Sequence, residues 1–307
     1  MSVSLRVVSP PPEVQHGAGP LRWLGGYVLT SSESRFGGFS GLLVDGDRLA
    51  AVSDRGWWWT SRMVRRPNGA LSGLVENRVA AILDVDGAPV RGRGRYDAEE
   101  LARLSGRWVV AFEGEHRLHA YHGSHTADLG GVQPELLASP DLAHLEDNLG
   151  LEAVTAVWGE ELLLFSEGRG ADSDPLEAWI SDGFAGAQPR WRELAIEPSD
   201  PGFRPTAAAT LPGGDVLLAQ RKYNPEEGVR IRVFRIGAES LHASGAGATV
   251  RPEEWLRLAP PTPIDNIEAM DVGVLPSGKT VVYLLADDNF SDSQDTLLLL
   301  FELAPQP

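Results

Sequence analysis

The sequence predicts an all-β protein, a single-domain β-propeller of five four-stranded blades whose last blade is closed by a strand from near the N-terminus. Three observations predict it. One plan recurs five times: a short polar signal, an apolar strand, a Gly turn, a second apolar strand, then an acid or a base. Hydrophobic periodicity is strand-like throughout, and no stretch of about 12 residues carries a helical stripe. Gly 34 and Pro 22 are scattered along the 307 residues instead of clustered, which suits many short strands joined by turns.

The five repeats are FSGLLVDGDRLAAVSDRG (39–56), AEELARLSGRWVVAFEGEH (98–116), LEAVTAVWGEELLLFSEGRG (151–170), PTAAATLPGGDVLLAQRKY (205–223) and IEAMDVGVLPSGKTVVYLLADDNF (267–290). They recur at steps of about 53–62 residues, the spacing of four-stranded propeller blades. Each of the first four is followed by two more strand-like segments. These are SRMVRR and NRVAAILDV, HRLHAYH and QPELLAS, LEAWISD and RWRELAI, then GVRIRVFRI and EEWLRLA. The fifth has only TLLLLFEL, and LRWLGGYVLTS supplies its missing outer strand, which leaves no free sheet edge. The units therefore run 39–97, 98–150, 151–204, 205–266 and 267–307 with 20–31. Six blades is the alternative if the first 35 residues contribute more than one strand. DLAHLEDN (141–148) reads as one short helical turn.

Composition limits the partners. Lys+Arg 27 against Asp+Glu 43 gives a net charge of −16, which repels phosphate backbones and anionic lipid and attracts cations. With no cysteine, a disulfide framework, a thiolate zinc site and a cysteine nucleophile are excluded. No apolar run is long enough to span a membrane as a helix. MSVSLRVVSPPPEVQHG lacks the apolar region of a signal peptide, so the expectation is a cytoplasmic protein or a mature form.

In a blade, the start of the innermost strand and the end of the next lie at the same end. The starts carry Ser40, Glu99, Glu152, Thr206 and Glu268; the ends carry Asp54-Arg55, Glu113, Glu167, Gln220-Arg221 and Asp287-Asp288-Asn289. Rotated about the axis, these groups converge on one mouth of the central channel. So many carboxylates raise one another's pKa unless something relieves the repulsion. A hard cation with oxygen ligands, Ca²⁺ above all, would do so, with Asp54, Glu99, Glu152, Glu268, Asp287 and Asp288 as candidate ligands. Arg55, Arg169 and Arg221 would do so too, in a ring that satisfies itself.

Glu113, Glu167 and His116 are the candidate acid–base groups, and Arg55, Arg221, Lys222 and Trp57 the candidate substrate contacts. His116, His119, His122 and His125 recur every third residue on a strand, so they scatter over the surface, and only His116 falls at the mouth. Trp57-Trp58-Trp59 cannot all enter one core if extended, and packing between blades competes with ring stacking. Gly273 to Thr280 matches a phosphate-loop pattern by chance, because Pro276-Ser277-Gly278 is a hairpin turn with a strand after it. Asp84-Val85-Asp86 lacks the glutamate of a calcium loop at position 12, where Arg95 stands. No G-x-S-x-G or H-E-x-x-H occurs, and Ser40 has no visible base.

FGGFSGL…VSDRG, YDAEEL…VAFEGEHRL, NLGLEAV…LFSEG, RPTAAATLPGGDVLLAQRKY and DNIEAM…LADDNFS together resemble, in this order, the esterase-like activity of phytase family. The likeness runs from about Leu21 to Leu303. It implies a bacterial propeller, often exported, and ester or phosphoester hydrolysis. The family's DAEG is Asp97-Ala98-Glu99-Glu100 here, and its ER is Gln220-Arg221, which removes one metal ligand. The expected protein is thus a monomeric, calcium-dependent hydrolase of a small anionic ester. A lactonase-like propeller acting on a neutral ring ester and a non-enzymatic binding propeller are the alternatives.

Overall fold

The computed structural model describes residues 1–10, 19–90, 96–123, 129–145, 150–168, 175–184 and 189–305. Two strands, β1 (Ser4–Val8) and β2 (Leu21–Thr30), precede the first blade. Blade 1 is β3 (Phe39–Asp45), β4 (Arg48–Ser53), β5 (Trp57–Arg65) and β6 (Leu71–Ala81). Blade 2 is β7 (Ala98–Leu104), β8 (Arg107–Phe112), β9 (Arg117–His122) and β10 (Glu135–Leu137). Blade 3 is β11 (Leu151–Val157), β12 (Glu161–Ser166), β13 (Leu176–Ser181) and β14 (Trp191–Ile196). Blade 4 begins with β15 (Arg204–Thr210), β16 (Val216–Asn224) and β17 (Gly228–Ile236). A helix, α1 (Ala238–Ala243), and a short strand, β18 (Ala248–Val250), follow before its outer strand β19 (Glu253–Leu258). Blade 5 is β20 (Asn266–Val274), β21 (Thr280–Asp287) and β22 (Leu297–Leu303).

The ring closes as the repeats require. β2 pairs antiparallel with β22 from Leu21↔Leu303 to Val28↔Leu297, supplying the fourth strand of blade 5. The N-terminal residues do contribute two strands, but β1 only adds a fifth strand outside β2, so the count stays at five. The helix and β18 carry no repeat signature. β18 crosses to pair in parallel with β14, and Leu241 and Val250 enter the core between blades 3 and 4.

That core explains the runs of apolar residues such as LLLLF and VVYLLA. Each sheet is covered on both faces by its neighbours, so its inner strands are apolar without alternation. Five apolar clusters result, one per blade interface, and adjacent residues divide between them. Leu218 packs toward blade 3 and Leu217 toward blade 5. Two of the three adjacent tryptophans follow the same rule: Trp58 enters the interface with blade 2, edge-on to Tyr121 at 5.2 Å, and Trp59 the interface with blade 5.

One expectation is corrected. His119 is 1% exposed, packed 4.9 Å from the Phe112 ring, and is not part of a surface set. Blade 2 is buried on both faces of β9, so alternation there moves a side chain from one core to another. Burial pushes the His119 imidazole down to about 4. His125, Arg95, Arg169 and residues 146–149 lie outside the described residues.

Candidate functional site

In all five blades the ladder between the first and second strands slips at one level. The slips fall between Phe39 and Gly41, Ala98 and Glu100, Leu151 and Ala153, Pro205 and Ala207, and Ile267 and Ala269. The extra residue is Ser40, Glu99, Glu152, Thr206 or Glu268, the polar residue that opens each repeat. A bulge bends its strand and re-aims one side chain. Five at one level therefore build a ring. A second ring comes from the ends of the second strands: Asp54, Glu113, Glu167, Arg221 and Asp287. Opposite them in the ladder stand Gly38, Asp97, Gly150, Arg204 and Asn266.

The fourth blade differs. Arg221, not Gln220, holds the position of the acids; Gln220 lies one residue away, fully buried, with its Oε1 accepting from Ser199 Oγ at 2.7 Å. Blade 4 therefore brings cations, Arg221 and its ladder partner Arg204, into a ring of acids. Arg221 donates to Asn266 Oδ1 and lies 3.5 Å from Glu268 Oε1. Glu268 also accepts from Asn266 Nδ2 at 2.7 Å.

Elsewhere the ring is short of partners. Among the described residues no arginine or lysine pairs with Glu99 or Glu152. Burial, and then Glu152, Asp97, Glu268 and Glu113, hold the Glu99 carboxyl well above the usual range. Glu152 is raised in the same way by burial, Glu113, Glu167 and Glu268. Glu99 of blade 2 feels Glu268 of blade 5, so the repulsion acts across the axis. Burial first, with the neighbouring acids, also lifts Asp54 to about 6 and Asp287 to about 8. Arg221 and Asn266 thus partner Glu268, though burial with Asp54 and Glu167 still leaves its carboxyl raised, and the blade 2 and 3 side has no such partner.

Asp97, Glu99 and Glu113 bring one carboxylate oxygen each within 4.8 Å of one another and could hold a metal ion. Three hard oxygen donors, all raised by burial, with Asp97 further raising Glu99 and Glu113, suit an oxygen-seeking divalent cation. In the sequence Asp97 stands only as the first residue of the DAEG motif, not among the candidate ligands. Its signal was there, because it stands two residues before Glu99, opposite Glu113, in the place that glycine takes in blades 1 and 3.

His116 has a φ of 43°, and both of its ring nitrogens are buried without a hydrogen-bond partner. It lies beside Glu113 because residue 150 is glycine: a Cβ there would come within 2.7 Å of His116 Nδ1. Glu167 is raised by burial and drawn back by Arg221 and Arg204. Arg55 is exposed at the rim, its guanidinium 3.5 Å above the Phe290 ring.

Three residues are not brought to the ring. Lys222 alternates to the face opposite Arg221 and donates to Pro201 O at 2.7 Å. Trp57 begins the third strand of its blade, with the Arg35 guanidinium 5.3 Å from its ring. Asp288 accepts from the N–H groups of Gly38 and Phe290 and from Thr296 Oγ1, so its oxygens hold the loop.

The raised acids predict how stability varies with pH without metal. Asp54 and Asp287 have ordinary values of 3.8 when unfolded and about 6 and about 8 when folded. Between those limits the folded state binds more protons, so stability is greatest at the acid end and falls as pH rises. Glu33, lowered to about 2 by Arg35, titrates below that window, and His119, lowered from 6.5 to about 4, opposes the trend over the lower half but is one group against two. Melting temperature in chelator should drop steadily from about pH 4 to about pH 8; a curve that rises instead contradicts the electrostatics of the ring.

A family model described as phytase-like, esterase-like activity of phytase, matches residues 34–290. No curated protein matches the sequence. Among solved structures, the chain is similar to the α-L-arabinofuranosidase of Podospora anserina in complex with cellotriose, at 11% identity over 99% of this chain and 98% of that one, with a TM-score of 0.50. It is similar also to the glutaminyl cyclase of Myxococcus xanthus, at 12% identity over 94% and 97%, TM-score 0.48. The PQQ-bound aldose sugar dehydrogenase of Streptomyces coelicolor shares 14% identity over 96% and 99%, TM-score 0.48. At such identities the likeness is one of fold.

Proposed function

The chain belongs to the phytase-like family, and from that premise we propose that it is a metal-dependent hydrolase of phosphate or other esters, with Ca²⁺ as the ion and the acidic mouth as its site. The observation that carries this reading is the Asp97–Glu99–Glu113 cluster, set on the side of the ring away from Arg221 and Arg204 of blade 4. Glu152 and Asp54 extend the acidic wall. When bound, Ca²⁺ would neutralise the acids, polarise a substrate oxygen and acidify water.

The chain's own residues would do the rest. Arg221, already committed to Glu268 and Asn266, is held pointing into the mouth and would take an anionic ester oxygen. Arg55 at the rim would draw such a substrate in. Glu167, its carboxyl raised by burial against the pull of Arg221 and Arg204, would give a proton to the leaving oxygen. His116, with two unpartnered ring nitrogens beside Glu113, would take one from water.

The test is turnover of p-nitrophenyl phosphate and p-nitrophenyl acetate, with calcium and with chelator. Chelator should abolish turnover. Arg221→Met should lower kcat/KM on the phosphate by roughly tenfold or more, because it removes a charge-assisted contact, and should affect the neutral acetate much less. Calcium binding without turnover of either ester would mark a binding propeller instead.

A further inference from the structure

One level below the ring, four blades place a small residue: Gly41, Ala153, Ala207 and Ala269. Blade 2 places Glu100, which is 0% exposed. Its surroundings come from the geometry of the innermost strands. Each has one edge with no strand beside it, so the N–H groups along that edge face the axis unpaired. The Glu100 carboxyl accepts two of them, from Leu101 at 2.9 Å and from Ala208 at 3.2 Å, and the Leu42 N–H also acts on it, drawing its pKa down. Leu42, Leu101 and Ala208 hold equivalent places, each two residues past the bulge, in blades 1, 2 and 4. Blades 2 and 4 are not neighbours, so the bond to Ala208 crosses the channel.

The tier has no room for a second such group on blade 1. A Cβ on Gly41 would come within 2.6 Å of the Leu101 nitrogen and 2.8 Å of the Glu100 carbonyl carbon. Beyond Glu100, toward the other face, a separate cavity of about 170 Å³ opens, lined by Thr155, Thr210, Arg103 and Asp271. Leu101 and Ala208, whose N–H groups Glu100 accepts, line that cavity, so Glu100 lies between it and the acidic ring. It also fixes the main chain one residue after Glu99.

We propose that Glu100 is the floor of the mouth: its carboxyl group closes the channel and holds the β7 bulge so that Glu99 meets Asp97 and Glu113. It is a positioning residue. The closure stands alone, and the aiming of Glu99 toward a metal rests on the reading above. Substrate and ion would then enter and leave by the acidic face only.

The test compares the parent with Glu100→Ala, Glu100→Gln and Val282→Ala. Val282 is buried in the blade 4–5 core and serves as a control for lost stability alone. Calcium affinity is measured by calorimetry well below each melting point. Glu100→Ala should weaken it at least tenfold. Glu100→Gln, which keeps the shape and one acceptor oxygen, should weaken it less, and Val282→Ala should stay within twofold. A crystal structure of Glu100→Ala should place ordered water between the Leu42, Leu101 and Ala208 N–H groups, joining the two spaces. Affinity within twofold of the parent in both Glu100 variants would overturn the positioning role. An axis still closed by other side chains in Glu100→Ala would overturn the floor. If the parent binds no calcium, the metal reading fails and the axis alone decides the floor. If Glu100→Ala does not fold, affinity and structure are read on Glu100→Gln.

Discussion

Deleting residues 1–31 should lower the melting temperature by more than about 10 °C or prevent folding altogether. β2 buries Leu21, Tyr27, Val28 and Leu29, each 2–3% exposed, against blades 4, 5 and 1. Burying one such side chain contributes about 1.5–3 kcal/mol, so four supply roughly as much as the whole net stability of a typical domain, about 5–15 kcal/mol. The deletion also leaves β22 as an unpaired edge carrying LLLLF, which invites association. Removing only residues 1–10 separates the two strands: β1 is largely exposed, with Val7 at 66%, and its loss should cost a few degrees. Thermal melts of both truncations decide the matter. If the longer truncation melts within a few degrees of the parent, the ring does not depend on its N-terminal closure.

The blades were legible because the repeat writes each hairpin as polar signal, apolar run, Gly turn and apolar run, and closure required a strand where LRWLGGYVLTS supplied one. The helix α1 and strand β18 were not, since a six-residue helix has no period to display and a parallel edge pairing leaves no local mark. In the site, the ring residues could be read because they repeat. What could not be read was the bulge. A slip of one residue puts Asp97 and Glu99 at the same mouth and sends Glu100 into the channel, and it moves the fourth blade's partner from Gln220 to Arg221. Lys222 and Asp288 failed to reach the ring for an equally local reason: next to a ring residue on a strand, a side chain faces the other way, and next to one in a loop it serves the loop.

Calcium should raise the melting temperature of the parent, and the glutamates of the ring should respond to neutralisation in two opposite ways. A ligand that binds only the folded state at a hundred times its Kd adds about 2.7 kcal/mol, or roughly 4 °C for a chain of this size. Glu99→Gln and Glu152→Gln keep shape and remove charge where the neighbours are other acids. In chelator both should stabilise the protein by on the order of 1 kcal/mol, the value of one pKa unit, and both should blunt the response to calcium. Glu268→Gln also relieves the cost of burial and the repulsion of the nearby Asp54 and Glu167, which leave this carboxyl raised, but it takes a partner from Arg221 and Asn266. It leaves a partly buried arginine without its counter-ion, so in chelator it should destabilise. The contrast matters because a ring held together by its own ion pairs would treat all three alike, losing stability each time. Melting curves of the four proteins, with calcium and with chelator, distinguish these cases. If calcium leaves the parent unchanged and all three glutamine variants melt lower, the acids of blades 2 and 3 already have partners, and no cation is needed to hold the mouth together.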